Sequence, residues 1–274
     1  MENVYRRDQP LSELEAESWR AREQAAFDRQ YAREGSGPDR IDDDATFRPT
    51  ITPPWEEGGT PSGLVQRRAY HLLLDHGLED RDVLDYGCGL GKWSMRLAAK
   101  GARVSGFDLS PVAIERARRR ADYNGHQIRF DVADAGDLPY ADAAFDLVVG
   151  IGVLHHVVKY PHTAEQLKRV MRPGGLAIFT EGLAENPLIE LGRRFTMRGV
   201  DEAGDVGLTR GVVERWAAPF PYADVVPVSM LLMVKRVIRW RGLLRVLAAF
   251  DEHAFRRWPG LARYAGDCLV VLRA

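Results

Sequence analysis

A short apolar run, Val83-Leu84-Asp85, leads into Tyr86-Gly87-Cys88-Gly89-Leu90-Gly91. Glycines at alternate positions let a backbone turn tightly and approach a ligand closely. A helix starting just after such a turn offers N–H groups that no earlier turn of the helix uses. The chemistry this permits is binding of a nucleotide-like ligand. The dinucleotide fingerprint is G-x-G-x-x-G after a strand; here the order is G-x-G-x-G, with Lys92 and Trp93 where a further glycine would fall. Asp85 stands ahead of the first glycine, where a carboxylate suits an amino group and repels a pyrophosphate. A nucleotide carrying an amino-acid tail therefore fits this turn better than a dinucleotide does.

More acidic residues follow at useful intervals. Asp108 closes the next apolar run, 21 residues after Gly87, the spacing at which an acidic residue reaches ribose hydroxyls. Asp134-Ala135 closes the run after that, where a short carboxylate can accept from an adenine amino group while backbone pairs with a ring nitrogen. Aspartate is common at strand ends as a turn former, so neither residue is diagnostic alone; their ordered succession carries the signal. Phe145-Asp146-Leu147-Val148-Val149 then runs through Gly150-Ile151-Gly152 into His155-His156. A histidine titrates in the range needed of a base, and an orienting or packing role for the pair is the competing reading. Glu181, at the end of another apolar run, could take a proton, orient an amine or simply cap the segment before Asn186-Pro187. Cys88 has no positioned base that would make it a nucleophile, so its side chain is read as packing.

Positioning these residues requires alternating strands and helices. Strands are expected at residues 83–85, 103–107, 128–132, 145–149, 176–180, 222–228 and 267–273, and helices at 62–76, 92–100, 111–121 and 162–171, with Ser62 and Ser110 as caps and Pro111 just inside its helix. Short apolar strands between amphipathic helices imply a parallel sheet covered on both faces. Further short helices are expected at 187–195 and 210–216, and a basic amphipathic helix or pair at 231–250, broken near Gly242. Residues 1–60 read as a polar arm or lid, helical over 11–31, with Leu14, Trp19, Phe27 and Tyr31 as its larger apolar members. Tyr31, Trp55 and Trp93 are candidate pocket walls; anchoring of the arm is the competing reading for the first two.

Taken together, Asp85-x-Gly-x-Gly-x-Gly, Asp108, Asp134-Ala135, Phe145–Val149 and Arg172-Pro173-Gly174-Gly175 resemble the class I S-adenosylmethionine-dependent methyltransferases over residues 62–180. The resemblance implies an α/β, Rossmann-like, doubly wound sheet of seven strands, mostly parallel, with an antiparallel last strand, in one domain over residues 61–274. Residues 181–250 would cap the acceptor side. S-adenosyl-L-methionine is the implied cofactor. Asp85, Gly87 and Gly89 would hold its methionine tail, Asp108 its ribose, and Asp134 and Ala135 its adenine, with Gly150 beside the sulfonium. Tyr31, Cys88, Leu109 and Ile151 complete the expected cofactor contacts, and His155, His156 and Glu181 are the catalytic candidates.

Composition bounds the partner. The chain has 274 residues with 38 Lys+Arg against 39 Asp+Glu, a net charge of -1, which argues against broad phosphate binding and hence against a nucleic-acid partner. Its 2 cysteines are too few for a disulfide framework. No segment approaches the about 20 apolar residues of a spanning helix, and no signal peptide is evident. The expectation is a cytoplasmic monomer or homodimer, off the membrane, without a metal, methylating an O, N or C atom of a small molecule. The alternatives are a non-methylating reaction on the same cofactor, such as cyclisation or decarboxylation, or an inactive cofactor-binding protein.

Overall fold

Residues 10–33, 63–186, 208–236 and 240–274 are described by the computed structural model. Its seven strands are β1 (Asp82–Tyr86), β2 (Arg103–Asp108), β3 (Arg129–Val132), β4 (Phe145–Ile151), β5 (Met171–Gly182), β6 (Tyr222–Ser229) and β7 (Asp267–Arg273). They form one sheet in the order β3-β2-β1-β4-β5-β7-β6. The first five run parallel, and β7 lies antiparallel between β5 and β6. The helices are α1 (Glu13–Arg33), α2 (Gly63–Asp75), α3 (Lys92–Ala98), α4 (Pro111–Tyr123), α5 (Leu154–Val157), α6 (Thr163–Val170), α7 (Arg210–Trp216) and α8 (Arg241–Arg257). The expected doubly wound sheet is thus present, with its antiparallel last strand. The helix expected at 187–195 and the Ser62 cap lie outside the described residues.

The two-residue pleat of each strand divides the core. On one face Val83, Leu147, Val149, Leu176, Ile178 and Leu269 pack under α2, which presents Val65, Ala69 and Leu73 at four-residue intervals. On the other, Leu84, Tyr86, Val148, Ala177, Phe179 and Val270 pack under α6 and α7. Ser110 caps α4 by accepting from the Ala113 N–H (3.1 Å), with Pro111 in its first turn. At Arg172-Pro173-Gly174-Gly175 the pairing of β5 with β4 skips from Met171 to Leu176, with Gly174 at a φ of 78°, and Arg172 reaches back to bond Asp82 (2.8 Å) and Asp146 (2.6 Å) at the amino ends of β1 and β4. Arg103 is the largest influence holding the Asp82 carboxyl below its ordinary value, with Arg172 behind it; burial pushes Asp146 up, and the Asp82 N–H and then Arg172 outweigh it.

The helix or pair expected at 231–250 divides before Gly242, into a 3₁₀ turn (Leu231–Arg236) and α8. Asp251 joins the two pieces. Fully buried on α8, its carboxylate accepts from the N–H groups of Met230, Leu231 and Leu232 (2.8, 3.0 and 2.9 Å), which ties the start of the turn to the helix that follows. Asp251→Ala leaves these donors without their acceptor. We expect a loss of about 3–5 kcal/mol and a melting temperature lower by on the order of 10 °C, read by calorimetry. A shift of only a degree or two would mean that water replaces the carboxylate at no cost.

Candidate functional site

β1 is the strand at which the chain reverses direction across the sheet: it pairs with β2 on one side and β4 on the other. Connections leave to opposite faces there, and a crevice opens beyond the carboxyl ends of the two strands. A cavity of ≈ 280 Å³ fills this crevice, close to the lower limit of about 300–1,000 Å³ for small-molecule sites. Two glycines let the chain pack closely at and behind its wall. Gly87 has a φ of 69°, and a Cβ there would meet Val153 Cγ2 at 2.5 Å; a Cβ on Gly150 would meet Phe179 at 2.3 Å. The cavity wall carries Asp108, Asp134 and His155 along with α1 residues Glu23, Phe27 and Tyr31.

The carboxylates are held by backbone. Asp108 accepts from Gly89 N–H at one oxygen and Ser110 N–H at the other, both at 2.9 Å. Burial pushes its carboxyl above the ordinary range, and these two bonds offset only part of that. Asp134 accepts from Gly136 N–H (2.8 Å), and its other oxygen lies 2.5 Å from Arg20 Nε of α1. Asp85 points away from the cavity. Alternation along β1 puts it on the α3 face, where it accepts from Ser94 Oγ (2.5 Å) and burial raises it to about 7.

Beyond β4 the chain places a carboxylate behind each histidine. Glu181 Oε2 lies 2.9 Å from His155 Nδ1, and Oε1 accepts from Leu154 N–H at 2.6 Å. His156 Nδ1 lies 3.4 Å from Glu23 Oε1. The two imidazoles pack with centroids 3.9 Å apart. A carboxylate on Nδ1 favours the tautomer with the proton there, which puts the basic lone pair of His155 on Nε2.

Of the residues singled out in the sequence, Tyr31, Gly87, Asp108, Leu109, Asp134, Ala135, Ile151, His155 and His156 line the cavity. Others stand back from the wall. Gly89 contributes its N–H to Asp108, Gly150 lies beneath Phe179, and Glu181 is buried behind His155. The Cys88 side chain, read as packing, lies with Ile114, Ala117, Ala121 and Phe130, and burial raises its thiol well above the ordinary value. Trp93 is not a pocket wall: it turns away from the cavity to pack edge-on against Tyr70. Trp55 lies outside the described residues. The sequence reading passed over Arg20, Glu23 and Tyr160, all on the wall. Among the described residues no group of three or more His, Cys, Asp or Glu is placed to hold a metal ion, and no helix is long and apolar enough to cross a membrane.

This geometry agrees with sequence comparison. A family model described as "Methyltransferase domain" matches residues 83–175. The 27-O-demethylrifamycin SV methyltransferase of Amycolatopsis mediterranei is 42% identical over 116 residues, which cover 41% of this chain and 41% of that enzyme. The demethylmenaquinone methyltransferase of Thermus thermophilus is 36% identical over 118 residues, 42% of this chain and 53% of that one. The match therefore spans about half or less of these relatives' lengths. A solved structure from work on the conversion of a disulfide bond into a thioacetal group during echinomycin biosynthesis superposes with a TM-score of 0.52 at 28% identity, covering 74% of this chain and 82% of that one. Over residues 83–175, from β1 to the start of β5, the chain is similar to the methyltransferase domain family.

Proposed function

We propose that the protein is an S-adenosylmethionine-dependent methyltransferase acting on an O, N or C atom of a small molecule. The observation that carries this reading is the cavity at the β1–β4 reversal, rimmed by Asp108 and Asp134, both inside the span that the methyltransferase-domain model matches. The residues present fit the cofactor. The Gly87 turn brings bare backbone to the cavity wall beside Val153, where a Cβ has no room. An ionised carboxylate is acceptor-only with about four lone-pair sites, so Asp108, with two backbone bonds, retains capacity for ribose hydroxyls, and Asp134 for an adenine amino group beside Ala135. Asp85, behind the turn, would act on the cofactor's amine through charge and Ser94 rather than as part of the cavity wall.

When bound, S-adenosylmethionine supplies a sulfonium methyl group and leaves as S-adenosylhomocysteine. The chain's own work is positioning and proton handling. Asp108, Asp134 and the glycine turn fix the cofactor end, while α1 covers the crevice and excludes water. Where the acceptor must lose a proton, His155 Nε2 takes it and Glu181 stabilises the imidazolium that results.

The test is transfer of labelled methyl groups from S-adenosylmethionine to a panel of phenols, alcohols, amines and activated carbon acids, with calorimetry of S-adenosylhomocysteine binding alongside. Labelled product with an equal yield of S-adenosylhomocysteine is expected. A protein that binds neither form of the cofactor sinks the reading. Binding with no transfer across the panel turns it towards a non-methylating reaction.

A further inference from the structure

Glu23 lies in the middle of α1 and is 4% exposed. A carboxylate buried to this degree persists only when donors surround it. Three do, and all come from the segment after β4. Lys159 Nζ lies 2.5 Å from Oε1, Tyr160 OH donates to Oε2 at 2.5 Å, and His156 Nδ1 stands 3.4 Å from Oε1. Lys159 is itself buried, with its ammonium 5.0 Å from the centre of the Trp19 ring of the same helix as Glu23. Phe27, one turn beyond Glu23, packs edge-on against His156 at 5.0 Å. Burial pushes Glu23 up, yet the donors outweigh it and hold the carboxyl below its ordinary value.

The rest of α1 is tied to the same rim. Arg20 pairs with Asp134, Asp28 accepts from Ser110 Oγ, and Tyr31 accepts through its carbonyl from Arg116. The helix thus touches the loops after β2, β3 and β4, which carry Asp108, Asp134 and the histidines. His156 links the clamp to the chemistry. It packs at a tilt against His155, which Glu181 holds, and it lies within electrostatic reach of Asp108.

We propose that Glu23 is a positioning residue that clamps α1 over the cofactor crevice and, through His156, holds His155 against Glu181, so that closing the helix and orienting the histidine are a single event. This deepens the methyltransferase reading and rests on it. Cofactor exchange then requires the Glu23 cluster to open.

The experiment compares the full chain with Glu23→Gln, which keeps the shape and removes the charge, and with Glu23→Asp, which keeps the charge and shortens the reach. Tyr160→Phe removes a single donor and serves if the Glu23 variants fold poorly; Glu13→Gln, at the exposed start of α1, is the control. Three quantities are read: the dissociation rate of S-adenosylhomocysteine, hydrogen exchange across residues 13–33, and the imidazole ¹⁵N resonances of His156 and His155. In Glu23→Gln we expect dissociation about tenfold faster or more, faster exchange along α1, and displaced resonances for both histidines while those of His71 and His126 stay. Glu23→Asp recovers part of each, and Tyr160→Phe shows the same changes in smaller degree. A variant that melts earlier but dissociates at the original rate with unmoved His155 resonances overturns the proposal and leaves Glu23 a structural residue. If the unsubstituted protein itself fails to bind S-adenosylhomocysteine, the methyltransferase reading falls, and this proposal with it.

Discussion

Asp108→Ala is expected to weaken S-adenosylhomocysteine binding about 10- to 100-fold, the loss that follows when hydrogen bonds to a charged group worth about 1.5–3 kcal/mol are removed. The carboxylate does two jobs, so the substitution must be read with care. It holds the N–H groups of Gly89 and Ser110, and without it the glycine turn and the cap of α4 lose a shared anchor. Asp108→Asn separates the two roles. Asparagine keeps one carbonyl oxygen for a backbone N–H but turns an NH₂ group towards the other donor, so binding falls even in a variant that folds. The pH dependence gives a second handle. Burial raises the Asp108 carboxyl, whereas ribose donors favour its charged form. Affinity in the unsubstituted protein should therefore climb as pH rises through the Asp108 titration, above the usual aspartate range, and that component should vanish in Asp108→Asn. A folded Asp108→Asn variant with undiminished affinity at neutral pH, measured calorimetrically, would remove Asp108 from the ribose assignment.

The ends of the strands were legible because they obey local rules. Asp108 and Asp134 each close an apolar run, and a doubly wound sheet brings such ends to one edge. The direction of a side chain at such an end is less legible. Asp85 and Gly87 are two residues apart and would share a face if the strand continued, but β1 ends at Tyr86: Asp85 turns to Ser94, while the left-handed Gly87 of the turn opens onto the cavity. Cys88 goes to the α4 side for the same local reason, the twist of the glycine turn. Asp251 left no local trace at all: its three bonds run to residues 19–21 positions earlier, and nothing in an amphipathic helix marks one buried carboxylate as a cap. Glu23 did leave a trace. Trp19, Glu23, Phe27 and Tyr31 recur every four residues, which places them on one face of a helix. A carboxylate inside an aromatic stripe faces burial, and a buried carboxylate needs partners. The stripe was legible, but Lys159 and Tyr160, more than 130 residues away, could be supplied only by the fold.

The largest effect on turnover is expected at His155. His155→Ala should lower kcat about 10²- to 10⁴-fold for an acceptor that must lose a proton, the range that a positioned general base contributes, and should change S-adenosylhomocysteine affinity far less. Glu181→Gln makes a sharper test of the pairing. Its remaining oxygen can still accept from Leu154 N–H, so the start of α5 is preserved, but the charge behind His155 Nδ1 is gone. Turnover should fall, because the imidazolium that develops on proton transfer has lost its counter-charge. His156→Gln separates the neighbours: if His155 is the base and His156 only supports it, the variant loses a smaller part of kcat than His155→Ala does. An acceptor methylated at full rate by His155→Ala would instead leave proximity and cofactor alignment as the whole mechanism, because an acceptor held against the sulfonium needs no base when it carries no proton to lose.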